Sequence, residues 1–206
     1  MKKFINILIF LFIFSLYCVT YIMIYDTFKD KKMNKQEKSA LEIFEKKIEK
    51  QETSQTNPDT QPEEQPQTTS QPYTVNYNGF TILGTIEIPK LGLNTVILAE
   101  QTYSAMNLGA IKTYGVDLNE KGGFVLAAHN FRGRTPFFYY IYTLNAGDII
   151  RISDASGRVL DYTVYDIARY VSPSDVGYFQ RTDDYHLVIV TCEDGGKSRI
   201  VLRAHI

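Results

Sequence analysis

The chain has 206 residues, 44% of them hydrophobic and 13% aromatic, with 15 Tyr, 12 Phe, no Trp and a formal net charge of -1. Bulk electrostatics therefore give no reason to expect nucleic acid or an acidic substrate as a partner, and the aromatic content suits a β-rich domain with a substantial core. The cysteines, Cys18 and Cys192, lie in separate regions, so no intramolecular disulfide is expected and Cys192 should be a free thiol.

Phe4 to Tyr25 is almost continuously apolar and follows Lys2 and Lys3. It is long enough to cross the roughly 30 Å of bilayer hydrocarbon as a helix. It exceeds the ~7 to 15 residues of a signal-peptide core. The following "YDTFKD" has no A-x-A-like cleavage site, so an uncleaved transmembrane anchor over 4–25 is expected, behind a short tail at 1–3. Lys29, Lys31, Lys32, Lys35 and Lys38 follow the span and outnumber Lys2 and Lys3. The positive-inside rule taken alone would leave the bulk of the chain in the cytoplasm.

Residues 26–52 form a charged stalk, with a helix expected from Met33 to Glu52. That stretch has no Pro or Gly, places Leu41, Phe44 and Ile48 on one face, and pairs Glu42 with Lys46 at i,i+4. Residues 53–73 include "TSQTNPDTQPEEQPQTTSQP", which has no aliphatic or aromatic side chain and four of the seven prolines. Such a segment cannot bury a core, and an extended linker is expected.

From Thr74 onward the pattern changes to short β-branched runs bounded by Gly, Asn, Asp and Pro. Strands are predicted over Thr81 to Ile88, Asn94 to Ala99, Phe124 to Ala128, Asp148 to Ile152, Arg158 to Val171, Leu187 to Cys192 and Arg199 to His205. Turn chemistry separates several of them: "EKGG" before Phe124, "DASG" after Ile152 and "EDGGKS" after Cys192. Short helices fit best at Tyr103 to Leu108 and Phe137 to Leu144. An all-β sandwich or barrel over 74–206 follows.

Leu187 to Val190 is apolar on both faces, as in a central strand, and Cys192 stands where that strand leaves the core. A two-residue turn at Gly195 and Gly196, or a looser loop from Glu193 to Ser198, gives the same pairing of Cys192 with Arg199. Directly opposed residues share a face of the sheet. A fixed cation beside a thiol favours the nucleophilic thiolate, and a guanidinium can instead donate hydrogen bonds to an oxyanion. Read alone, Cys192 would serve equally as a small buried hydrophobe and Arg199 as a strand-edge solubiliser.

Nucleophilic cysteine chemistry needs a proton acceptor and donor, most often His, and the chain has three. His186 begins the Cys192 strand, and six residues at about 3.3 Å each hold it some 20 Å from the thiol. His205 is separated from Arg199 in the same way. His129 remains, in "GGFVLAAHNFRGR", at the exit of an apolar strand and before a polar loop with Asn130, Arg132 and Arg134.

"IEIPKLGL" at Ile86 to Leu93, "AAHN" ending at Asn130, and "VIVTC" followed by "SRIVLRA" together resemble the sortases, membrane-tethered cysteine transpeptidases of Gram-positive bacteria. The resemblance implies a closed eight-stranded β-barrel. It also implies His129 as general acid and base, Cys192 as nucleophile and Arg199 as the oxyanion or substrate-orienting group, with Thr191 matching the Thr that precedes the family's Cys. The reaction implied is attack of Cys192 on the Thr carbonyl of an LPXTG-like sorting signal in a secreted surface protein. A thioacyl enzyme results, and a peptidoglycan-precursor amine, or a pilin Lys in polymerising members, resolves it.

"SPSDVGYFQRTDDYH" occupies the family's specificity loop, which makes Val176, Tyr178 and Phe179, together with Thr191, candidate substrate contacts. No cofactor or metal is implied. Val188, Ile189 and Ala128 depart from the family's pattern and blur the subclass. Neither an aromatic lid after an Asp-Pro pair nor a second apolar span is visible, which leans toward a protein-anchoring member. Substrate and acceptor lie outside the cell, so the resemblance overrides the lysine count and implies a cytoplasmic N-terminus with an extracytoplasmic domain. The alternatives are a membrane-tethered thiol peptidase and a non-catalytic β-barrel binding module.

Overall fold

The computed structural model describes residues 2–55, 74–130, 137–178 and 184–206. A helix, α1, runs from Lys2 to Gln55. The chain divides into two compact units, Met1–Gln36 and Glu37–Ile206. In the first, Phe10, Phe12, Phe14 and Leu16 are exposed around the helix. A helix apolar on all sides satisfies its backbone internally and favours apolar surroundings, and this one is long and apolar enough to cross a bilayer by length and composition.

The second unit is a barrel. Its strands are β1 (Val75–Tyr77), β2 (Phe80–Ile88), β3 (Leu93–Leu98), β4 (Ala110–Gly115), β5 (Gly123–Ala127), β6 (Ile149–Asp154), β7 (Val159–Val171), β8 (His186–Glu193) and β9 (Ser198–His205). A short helix, α2 (Tyr103–Met106), lies between β3 and β4. The order across the sheet is β1-β2-β3-β4-β5-β8-β9-β7-β6, and β6 returns to pair with β2. Eight strands, β2 to β9, therefore close into a ring, and β1 adds to β2 beside the closure. The closed barrel agrees with the expectation from the sequence.

Closure depends on one glycine. A Cβ at Gly84 would stand 2.2 Å from the Ser153 carbonyl oxygen on β6, too close for any side chain. Inside the ring, Ile86, Phe124, Leu126, Phe138, Ile150, Ile152, Tyr162, Leu187, Ile189 and Leu202 form the core, the alternate residues of successive strands.

The predicted strands all appear, each within two residues of its expected ends. Two were not anticipated. β1 and β2 are joined at Asn78 and Gly79, both left-handed, and Asn-Gly is a strong hairpin signal that was present in the sequence. β4 pairs with β3 over only Ile97↔Ala110 and Leu98↔Ile111, and its residues pass from buried at one end to exposed at the other, so no local alternation announces it. The expected helix at Tyr103 to Leu108 is shorter, Tyr103–Met106. Phe137 to Leu144 contains a single 3-10 turn over Ile141–Thr143.

The apolar face read along the stalk has a partner within the second unit. Ala40 and Phe44 of α1 are buried in a cluster with Val75, Ile82, Val96, Leu98, Ala105 and Ile111, and Leu41 and Ile48 pack at its edge. Lys47 Nζ donates to the Thr74 carbonyl at 2.8 Å. Phe44 is 2% exposed, so Phe44→Ala is expected to cost about 3 kcal/mol, the lower end for a buried Phe. Faster amide exchange over residues 37–50, with barrel strands still protected, is the expected result.

Candidate active site

β5 and β8 run parallel, pairing Gly123↔His186 through Ala127↔Val190. Beyond the last ladder pair the two chains stay together. Ala128 N donates to the Val190 carbonyl at 3.4 Å, the buried Thr191 hydroxyl donates to the Ala128 carbonyl at 2.8 Å, and Asn130 Nδ2 donates to the Cys192 carbonyl. Continuing the register by two residues sets His129 level with Cys192. On the other side of β8, the antiparallel pair Cys192↔Arg199 joins it to β9. His129, Cys192 and Arg199 thus occupy three adjacent chains, each about 4.8 Å from the next.

Alternation settles the face. Leu126, Ala128, Leu187, Ile189 and Ile200 point into the core. His129, Cys192 and Arg199 therefore point outward. Cys192 is exposed, and His129 and Arg199 are half-buried. Val125, Val188 and Val201 lie on the same outer face, buried in a small cluster with Val171, against which Ala168 and Val190 pack.

The loop after Cys192 keeps the expected pairing, with Lys197 N donating to the Asp194 carbonyl at 3.2 Å across Gly195 and Gly196. Glu193 pairs with Ser198, and Asp194–Gly196 forms a 3-10 turn, with Asp194, Gly195 and Gly196 all at positive φ. Arg199 Nη1 donates to the carbonyls of Gly196 and Ser198, both at 2.9 Å. This anchors one edge of the guanidinium on the turn.

Three features of the site were not singled out from the sequence. Tyr103 of α2 packs its ring against the His129 imidazole, with centroids 5.1 Å apart at 61°. Glu193 is buried and accepts from Arg169 Nε at 2.6 Å and from Tyr170 N at 2.7 Å. It thereby supports Tyr170, whose φ of 56 lies in the left-handed region where a bulky side chain costs about 1–2 kcal/mol. The third is the Asn130 tie to Cys192. An Asn directly after His129 and an acid directly after Cys192 are signals sequence reading could weigh, whereas the Tyr103 contact joins distant segments.

Of the expected substrate contacts, Thr191 is buried, with its hydroxyl held by Ala128. Val176 is 57% exposed at the start of the 3-10 turn Val176–Tyr178. Phe179, Arg132 and Arg134 lie outside the described residues. Among the described residues no three His, Cys, Asp or Glu side chains converge as metal ligands would.

The family model describing the sortase domain matches residues 86–206. Sortase A of Listeria monocytogenes is 24% identical over 118 residues, 57% of this chain and 52% of that protein. The chain thus spans about half the length of that curated relative. Among solved structures, the Clostridium perfringens Sortase D5 transpeptidase superposes with a TM-score of 0.59 at 25% identity, covering 82% of this chain and 97% of that one. A pilus-related sortase C of Group B Streptococcus gives 0.55 at 23% identity, over 60% and 66%.

Proposed function

The chain belongs to the sortase family, and on that premise we propose that it is a membrane-anchored transpeptidase acting through Cys192, His129 and Arg199. The observation that carries the reading is the register of β5, β8 and β9, which sets these residues level on one outer face. The Cys192 thiolate attacks the Thr carbonyl carbon of an LPXTG-like signal, and the oxyanion so formed accepts hydrogen bonds from the Arg199 guanidinium. Collapse breaks the C–N bond as His129 gives its proton to the departing amine. An incoming amine, on a cell-wall precursor, loses its proton to His129 and attacks the thioester, returning the Cys192 thiolate.

Val176, 57% exposed, offers an apolar contact to the Leu or Pro of the signal. The same reading puts the N-terminus in the cytoplasm and the barrel outside, where surface proteins and acceptor meet.

The test is incubation of the detergent-solubilised chain with an LPXTG-type peptide and triglycine. Ligated product is expected. Hydrolysis indifferent to the amine would instead indicate a thiol peptidase, and an uncleaved peptide with an inert thiol would indicate a binding module. In the same assay Arg199→Ala is expected to lower kcat/KM by about 10²–10³-fold, as loss of an oxyanion donor does. Arg199→Lys should recover little, because an ammonium cannot hold the turn carbonyls and face the oxyanion at once. Wild-type turnover by Arg199→Ala would remove Arg199 from the mechanism.

A further inference from the structure

We propose that Tyr103 is a positioning residue for His129. The inference rests on the reading of His129 as general acid and base, and it concerns a side chain that takes no part in bond making.

The turn that carries Tyr103 is anchored on its far side. Thr102 caps α2, its hydroxyl oxygen accepting from Ala105 N at 3.1 Å. Ala105 and Leu108 are buried in the cluster that also holds Val96, Leu98 and Ile111. Leu108 N returns to the Ala105 carbonyl at 2.8 Å. These contacts fix the backbone and leave Tyr103 at the first position of the helix, 66% exposed. A large aromatic so open to water gains little from burial. Its ring nonetheless meets the imidazole at 5.1 Å and 61°, within the ~4.5–7 Å range of favourable tilted and edge-to-face pairs.

Topology gives the contact a direction. α2 leads into β4, and β4 is the neighbour of β5 on the side away from β8. Tyr103 therefore reaches the imidazole from the β4 side, and Cys192 stands on the β8 side. An imidazole flanked in this way has a wall behind it and the thiol before it. Two proton transfers in the proposed cycle, to the departing amine and from the incoming one, need the ring in the same place. A ring that swings toward β4 is lost to both. Phe at 103 would keep the wall, and Ala or Leu would not provide an aromatic face.

The experiment uses the full chain in detergent micelles, labelled with carbon-13 at histidine Cε1. The three histidines give three resonances, and His129→Ala assigns the one required. Expected for Tyr103→Ala and Tyr103→Leu are displacement of the His129 resonance through loss of the ring current and a fall of about tenfold in kcat. KM for an LPXTG-type peptide should stay within about twofold. Tyr103→Phe should restore both resonance and kcat. The melting temperature should be unchanged in all three, since the side chain is exposed. If the His129 resonance does not move in Tyr103→Ala, or moves while kcat stays intact, the inference alone is overturned. A wild-type chain that cleaves no peptide of a sorting-signal library, with Cys192 inert, overturns the catalytic reading and this inference together.

Discussion

Cys192→Ala is expected to lower turnover of an LPXTG-type peptide by about 10⁵-fold or more, and His129→Ala by about 10²–10⁴-fold. The difference follows from the roles. Without sulfur there is no acyl enzyme, so what remains is only binding and whatever donors Arg199 supplies to a water-driven reaction. Without the imidazole the nucleophile persists, and only the proton delivery that makes the amine a competent leaving group is lost. The double variant should be no slower than Cys192→Ala, because residues of one reacting unit are not additive. Mass spectrometry of the intact protein supplies the second check: wild type incubated with peptide and no amine should carry the acyl mass on Cys192. A His129→Ala protein that keeps turnover within tenfold of wild type would show that another group moves the proton.

The largest effect on stability is expected at a residue remote from this chemistry. Asn119→Ala should cost about 4 kcal/mol, with the melting temperature falling by about 10 °C for a body of this size. Asn119 is fully buried, and its amide donates to the carbonyls of Ile152 at 3.0 Å and Arg158 at 2.9 Å. Its oxygen accepts from the Tyr162 hydroxyl at 3.3 Å. Burial pushes the Tyr162 hydroxyl well above its ordinary pKa, so it remains a donor across the accessible pH range. Beside this hub, Asp154 takes the backbone N–H of Ser156 and of Arg158 and pairs with the Arg158 guanidinium at 3.1 Å. Truncation removes all three hydrogen bonds and leaves the buried Tyr162 phenol without its partner, a loss of about 1–3 kcal/mol for an unpaired buried group, while the Arg158 carbonyl still accepts from Asp154 N at 3.0 Å. Asn119 also has φ 60. Asn119→Gly removes the same hydrogen bonds without the left-handed penalty and should be less damaging by about 1 kcal/mol. Thermal unfolding of the pair separates the two contributions, and equal losses would mean the backbone carries no strain there.

Much of the barrel was legible because strands announce themselves locally. Glycine-rich turns and β-branched runs marked the β8–β9 hairpin, and the Cys192 to Arg199 pairing did not depend on which turn forms, because both candidate loops share that register. The link from His129 to Cys192 was not legible from residue patterns. It depends on a parallel pairing between strands separated by β6 and β7, and nothing near either residue encodes which strands will lie side by side. The resemblance to sortases supplied that expectation instead. β4 was missed for a local reason, since its burial falls steadily along the strand and leaves no alternation to read. On α1 the apolar stripe of Leu41, Phe44 and Ile48 was visible, but a stripe says only that something covers it. The outer wall of β1, β2 and β3 is what does.

That docking makes residues 37–50 part of the folded body. Phe44 and Val75 share one cluster, and Lys47 holds the Thr74 carbonyl. A protein trimmed to start at Thr74 would bare Ile82, Val96 and Leu98 to water, so the shortest form that keeps this wall covered retains the helix from Glu37 onward.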